Sequence, residues 1–216
     1  MNRVNLIYNH PLYKEKLDKL QVAEKNRIFC NHTLEHFMDV GRLMYIRYLE
    51  DAVELLHESD MSQVDSLSRE TSMLQDISIV QETSMLRDTS MAPNNLAVTR
   101  EIIYATALMH DIGRISQIEN DIPHDVASAK LCDVILPECG FAQCEIVMIK
   151  QAVLEHRNDL CLNNSLHFYS TQEKNFGHIL SKLLYWADKK SRNCFNCPAY
   201  TECNWSFEKR NLEISY

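Results

Sequence analysis

Glycine and proline are scarce in this chain: four glycines and five prolines in 216 residues. So few turn-forming residues exclude an architecture built from many short strands and tight hairpins. Long apolar runs are also missing. Nothing approaches the 18 or so consecutive apolar residues that a membrane-spanning helix needs, and Met1 to Leu20 has no apolar signal core. A cytoplasmic location is therefore expected. An excess of positive charge is absent as well. Lys and Arg total 22 against 30 Asp and Glu, for a formal charge of −8. Phosphate backbones call for a net basic face, so nucleic acid is not the expected partner, although local basic pockets remain open. No sequence feature bears on oligomeric state.

What remains is a chain with 45% hydrophobic residues, long enough for one core and patterned for helices. The expected class is all-α: a single domain over 1–216 with an insertion near 60–95 and a cysteine-containing tail at 193–216. Eight cysteines in such a chain suit buried thiols and a metal site better than a disulfide framework.

The most informative stretch is Met109-His110-Asp111-Ile112-Gly113-Arg114. It ends a run from Leu96 to Met109 in which Val98, Ile102, Ala105 and Met109 fall at helical steps, so the His-Asp pair arrives inside the fold. Adjacent helical residues diverge by about 100°, so both reach one ion only where the helix stops, and Gly113 is the expected stop. Imidazole beside carboxylate suits a divalent metal.

Other helix-patterned stretches carry related residues. The chain after Asn9-His10-Pro11 reads as a surface helix, and Arg27 to Leu56 as a longer one bearing His32 and His36 on a shared face. Threonine, not glutamate, follows His32, which excludes the zincin motif. His32 reads as a solvated helix histidine. His124 follows Pro123 in a first helical turn, and His156 sits near the end of a helix from about Gln143 to Arg157. Leu160 to Asn175 reads as a connection. A last helix, Gly177 to about Ser191, puts Asp188 in line with Leu180, Leu183, Leu184 and Ala187, where an ionised carboxylate needs a partner or a metal.

Between the second and third of these blocks, Glu70-Thr71-Ser72-Met73-Leu74 recurs as Glu82-Thr83-Ser84-Met85-Leu86. Two copies and a fragment do not make a solenoid, and this polar stretch reads as a mobile insertion.

The ordered series His36, His110-Asp111, His124, His156, Asp188 resembles the HD superfamily of metal-dependent phosphohydrolases. The resemblance is carried by His36-Phe37-Met38-Asp39-Val40, by Leu108 to Arg114 and by Ala187-Asp188-Lys189-Lys190-Ser191-Arg192, and spans roughly residues 27 to 192. His124 and His156 are similar to the additional histidines of the two-metal branch, which includes hydrolases of diadenosine tetraphosphate. No Gly-Tyr-Pro motif is present, which disfavours the cyclic-dinucleotide branch.

The resemblance implies that His36, His110, Asp111 and Asp188 hold one ion, and that Asp111 bridges to a second held by His124 and His156. Asp111 is then the central catalytic residue. Iron, manganese, cobalt and zinc all suit these ligands. Arg114, Arg157, Lys189 and Arg192 are the expected phosphate-binding residues for a small phosphorylated substrate, in particular a nucleotide ester or anhydride. The alternative is a regulatory module that binds a nucleotide or senses redox state without turnover.

Past the last helix, Cys194, Cys197 and Cys203 form a Cys-x2-Cys-x5-Cys run. Three thiols at that spacing suit zinc or an iron–sulfur cluster completed by a fourth ligand. If His36 and Asp188 share an ion on antiparallel helices, Cys30, six residues before one, approaches Cys194, six after the other. His32 is the second choice for that fourth position.

Overall fold

The computed structural model describes residues 1–64, 98–157 and 176–214. Their regular structure is helical: α1 (Asn2–Asn9), α2 (Pro11–Ala23), α3 (Leu34–Val64), α4 (Arg100–Met109), α5 (Arg114–Asn120), α6 (His124–Glu138), α7 (Gln143–Glu155) and α8 (Phe176–Lys190). Two 3-10 turns, Cys194–Asn196 and Phe207–Lys209, follow in the C-terminal tail. The fold is all-α, a helical bundle with cysteines near its C-terminus. Most of the insertion expected at 60–95, and the connection at 160–175, lie outside the described residues.

Local chemistry fixes the helix starts. Pro11 opens α2 at a position where its missing N–H costs nothing, and the His10 ring accepts from Leu12 N at 3.2 Å. Thr99 caps α4, its hydroxyl accepting from Ile102 N at 3.3 Å. Thr33 does the same for α3: its Oγ1 lies 3.3 Å from His36 N and its carbonyl 3.1 Å from Phe37 N. That cap corrects the expected start near Arg27. His32 stands before the helix, so it does not share a helical face with His36. The first eight-residue helix, α1, was not anticipated from the sequence. It is short, but Val4 and Ile7 bury against the core.

α4 is the central strut. Ile102, Ile103, Ala105, Ala107, Leu108 and Met109 are all buried, and α3, α7, α1, α6 and α8 pack around it. Each fully buried Ile, Leu or Met there contributes about 1.5–3 kcal/mol. Tyr13, also fully buried, donates its hydroxyl to Leu108 O at 3.2 Å. One carbonyl freed at the end of α4 is thereby satisfied, and α2 is tied to the point where the His-Asp pair begins.

Gly113 has an unexpected reason for being glycine. Its φ of −75° suits any residue. A Cβ there would meet Ser128 N at 2.3 Å and His124 O at 2.6 Å, so its bare Cα lets the turn after α4 press against the first turns of α6. Gly113 N completes the contact by donating to Ser128 Oγ at 2.8 Å.

Candidate metal centre

Five helix ends and one loop converge on Asp111. His36 lies in the first turn of α3, His110 and Asp111 at the end of α4, and His124 at the first position of α6. His156 follows α7, and Asp188 is in the last turn of α8. Helix ends are where side chains can leave the packed faces while their backbones stay anchored. His110, Asp111, His124, His156 and Asp188 are all buried.

Two groups of ligand atoms lie within 4.8 Å of one another: His36, His110, Asp111 and Asp188, and Asp111, His124 and His156. Asp111 belongs to both. Its Oδ1 is 3.1 Å from His124 Nε2 and 3.5 Å from His156 Nε2, while Oδ2 is 3.4 Å from His110 Nε2. On the other side, Asp188 Oδ1 lies 3.7 Å from His36 Nε2.

The hydrogen bonds behind the rings decide where their lone pairs point. His110 Nδ1 is 2.7 Å from Ala107 O and His156 Nδ1 is 2.6 Å from Val153 O. A carbonyl only accepts, so each Nδ1 carries hydrogen and, in the neutral ring, Nε2 is a bare lone pair facing the carboxylate. This is the arrangement in which metal-bound histidines are held from behind. His124 Nδ1 is held in the same way by Gln117 Oε1 at 2.6 Å.

Charge follows the same geometry. Burial pushes His36 and His124 down to about 4, and it lowers His110 as well, so these three rings stay neutral. Burial alone would raise Asp111, but the imidazoles around it hold its carboxyl well below the usual range. Asp188, equally buried, is held low by Lys189 first and by His110. His36 Nε2, His110 Nε2 and Asp111 Oδ1 have no hydrogen-bond partner among the described residues. Buried acceptors facing acceptors cost of order 1–3 kcal/mol each unless a cation lies between them. The donor set therefore fits divalent metal ions.

A residue outside the expected set completes the ring. His32 Nε2 is 3.3 Å from Asp111 Oδ2, and its Nδ1 is 2.9 Å from Glu24 Oε1. His32 is thus not the solvated histidine expected from the sequence. The cap at Thr33 releases it from the helix, and Glu24 draws it inward. Burial lowers His32 in isolation, but hydrogen bonds to Asp111 and Glu24 raise it to about 9. Glu24, whose burial acts the other way, is brought down to about 2 by His32 and Arg27. No spacing rule links Glu24 to the histidines; only the path of the loop joins them.

The centre opens into a cavity of ≈ 900 Å³. Arg27, Arg114, Arg157, Lys189 and Arg192 line it, a local positive rim on a chain of net charge −8. Arg27 was not expected there. Arg114 Nε lies 3.4 Å from Glu24 Oε1, Arg192 Nη2 is 3.5 Å from Asp188 Oδ2, and Lys189 pairs with Asp188. Arg157 is exposed, with no ion pair to a described residue. The four cysteines Cys30, Cys194, Cys197 and Cys203 line the same cavity.

A protein of Clostridium beijerinckii, described only as "Uncharacterized protein", is 32% identical to this chain over 216 residues, covering 100% of both. The two chains belong to one family. The bacterial relative's description carries no activity with it. No family model and no solved structure matches. Among the described residues, no helix is long and apolar enough to cross a membrane.

Proposed function

We propose that this chain is a metal-dependent phosphohydrolase of the HD superfamily, acting on a small phosphorylated substrate, a nucleotide ester or anhydride. The observation that carries the reading is Asp111, one buried carboxylate common to two ligand groups and ringed by imidazole nitrogens. His36, His110, Asp111 and Asp188 would hold one ion, and Asp111, His124 and His156 another. Bound there, two divalent ions would supply Lewis acidity toward phosphoryl oxygens and lower the pKa of a water.

The chain's own residues supply the rest. Arg27, Arg114, Arg157, Lys189 and Arg192 surround the cavity and bind phosphoryl oxygens, the arginines in bidentate fashion. Ala107 O and Val153 O hold the rings of His110 and His156 at Nδ1 and so fix which nitrogen faces inward. His32, gripped by Glu24 and lining the cavity, is placed to give a proton at Nε2 to a leaving oxygen. Burial of the centre excludes bulk water and strengthens these interactions.

The test is phosphate release from mono-, di- and tetraphosphate nucleotides by protein loaded with Mn²⁺ or Fe²⁺. Turnover that Asp111→Ala abolishes supports the assignment. Tight nucleotide binding without any phosphate release, by protein shown to hold both ions, replaces it with a binding module.

A further inference from the structure

The C-terminal tail poses a problem of stability. From Arg192 to Glu213 only Ala199 is buried, while Phe195, Tyr200, Trp205 and Phe207 are exposed. Ordering a backbone costs about 1–2 kcal/mol per residue, and this segment buries almost no apolar surface to offset it. Polar contacts help at two points. Arg210 donates to the carbonyls of Tyr200, Cys203 and Trp205, and Asn211 Nδ2 donates to those of Lys189, Lys190 and Arg192. At a net 0.5–1.5 kcal/mol each, such bonds fall well short of the ordering cost of the segment. Chains with too little core are ordinarily stapled by a disulfide or a metal. No disulfide is present among the described residues: Cys30, Cys194, Cys197 and Cys203 are free thiols.

Those four thiols gather at one place. All line the cavity described above, Cys30 from the loop before α3 and the other three from the tail. The tail's own turns present its thiols, with Cys197 N donating to Cys194 O at 3.3 Å and Tyr200 N to Cys197 O at 3.2 Å. Cys30 adjoins the trio electrostatically as well: burial pushes its thiol up, Cys194 and Cys197 add to that, and Arg192 opposes them. His32 is drawn away to Glu24 and Asp111, so it does not take the fourth position.

The spacing discriminates between metals. Tetrahedral zinc, with Zn–S near 2.3 Å, requires sulfurs about 3.8 Å apart. Among the described residues, no three cysteine sulfurs fall within 4.8 Å of one another. The four cysteines share a cavity wall but stand too far apart for one tetrahedral ion, which favours a larger group such as an iron–sulfur cluster held by four cysteines.

We propose that Cys30, Cys194, Cys197 and Cys203 ligate an iron–sulfur cluster that staples the tail to the loop before α3 and so completes one wall of the cavity. The cluster is independent of the His/Asp centre and of any hydrolase activity. Its position accounts for an ordered tail with no core: the four thiolates join segments more than 160 residues apart in sequence, and Arg192 and Arg210 lie beside them to balance negative charge.

The experiment is anaerobic purification of the full chain, with iron and acid-labile sulfide measured per chain, before and after reconstitution with Fe²⁺ and sulfide. The expected result is about two or about four sulfides per chain, for the two cluster types that four cysteines hold, with visible absorption that dithionite bleaches. Cys197→Ser and Cys30→Ser lose at least tenfold in labile sulfide, and limited proteolysis then removes the tail. Cys144→Ser, on α7 and outside the cavity, keeps both signals, and Asp111→Ala loses only the iron of the His/Asp centre while retaining the cluster's iron and sulfide. Because Cys30 is exposed in a loop, its serine variant folds and reports on ligation alone. Native protein without labile sulfide after reconstitution overturns the proposal. So does one zinc per chain lost in Cys197→Ser, or full sulfide in Cys30→Ser.

Discussion

The His/Asp centre and the cysteine tail line one cavity, yet they are held by opposite means. Around Asp111 the backbone is fixed by apolar packing, and polar atoms are left facing one another. In the tail the backbone hydrogen bonds are tended by Arg210 and Asn211, and hydrophobic side chains are left in solvent. The first region shows a site whose cost is carried by the surrounding core. The second shows a structure whose own side chains do not account for its order. Each region leaves something energetically unfinished, and those are the places where metal is proposed: orphaned lone pairs that could hold an ion in one, free thiols and exposed aromatics in the other.

Breaking the core side of this contrast has the largest effect. Asp111→Ala removes the carboxylate common to both ligand groups. Mn²⁺ taken up by the His/Asp centre falls to a small fraction of the wild-type level and phosphate release is lost with it, as manganese analysis and a phosphate assay on the same loaded preparation show. Gly113→Ala acts through packing. Its Cβ would collide with backbone atoms of α6 that cannot swing aside, so the variant loses roughly 3 kcal/mol, the upper end for overpacking, in denaturant unfolding.

His124→Ala and His156→Ala sharpen the comparison within the centre. Each strips the smaller ligand group and leaves His36, His110, Asp111 and Asp188, so the centre is expected to keep one ion of the two proposed for it. Retention of two ions in both variants would return these histidines to the ordinary core.

Acidity separates the rings from one another. His36 and His124 stand near 4 in the fold against 6.5 ordinarily, so the unfolded chain binds more protons and metal-free protein loses stability as pH falls from about 6.5 to about 4. His32 runs the other way. Raised to about 9, it contributes stability that is complete below about 6.5 and lost as pH rises through 9. From these three residues, the melting temperature of metal-free protein peaks near pH 6.5, and His32→Gln flattens the alkaline side alone. The smallest effect belongs to the tail. Asn211→Ala frees three carbonyls at the end of α8, costs about 1 kcal/mol locally, and speeds proteolysis of the tail with the melting temperature of the bundle unchanged.

These regions also differ in how far their chemistry could be read from the chain. His36, His110, Asp111, His124, His156 and Asp188 each interrupt or border an apolar helical stripe, and a polar residue in such a place is visible as an anomaly. The structure brings all six together. His32 and Glu24 were not legible because no periodicity describes them. Thr33, by capping α3, turned an expected helical histidine into a loop residue, and Glu24 became a partner only through the bend between α2 and α3. Gly113 was marked as special because a helix stop was expected there, whereas the structure gives close approach to α6 as the reason for its being glycine. The helical class was legible from periodicity, whereas α1 was too short and too polar to stand out. The Cys-x2-Cys-x5-Cys run was plain in the sequence, and Cys30 does reach the cavity wall that the trio forms.

The central claim is that two ions share Asp111, and electron paramagnetic resonance of Mn²⁺-loaded protein tests it most directly. Ions about 3.5–4 Å apart on a common carboxylate are magnetically coupled. The account predicts two Mn²⁺ per chain with the multiline spectrum of a coupled pair, collapsing to a single uncoupled ion in His124→Ala. One Mn²⁺ per chain with an isolated six-line signal in the wild-type protein, unchanged on raising the metal concentration, would contradict it.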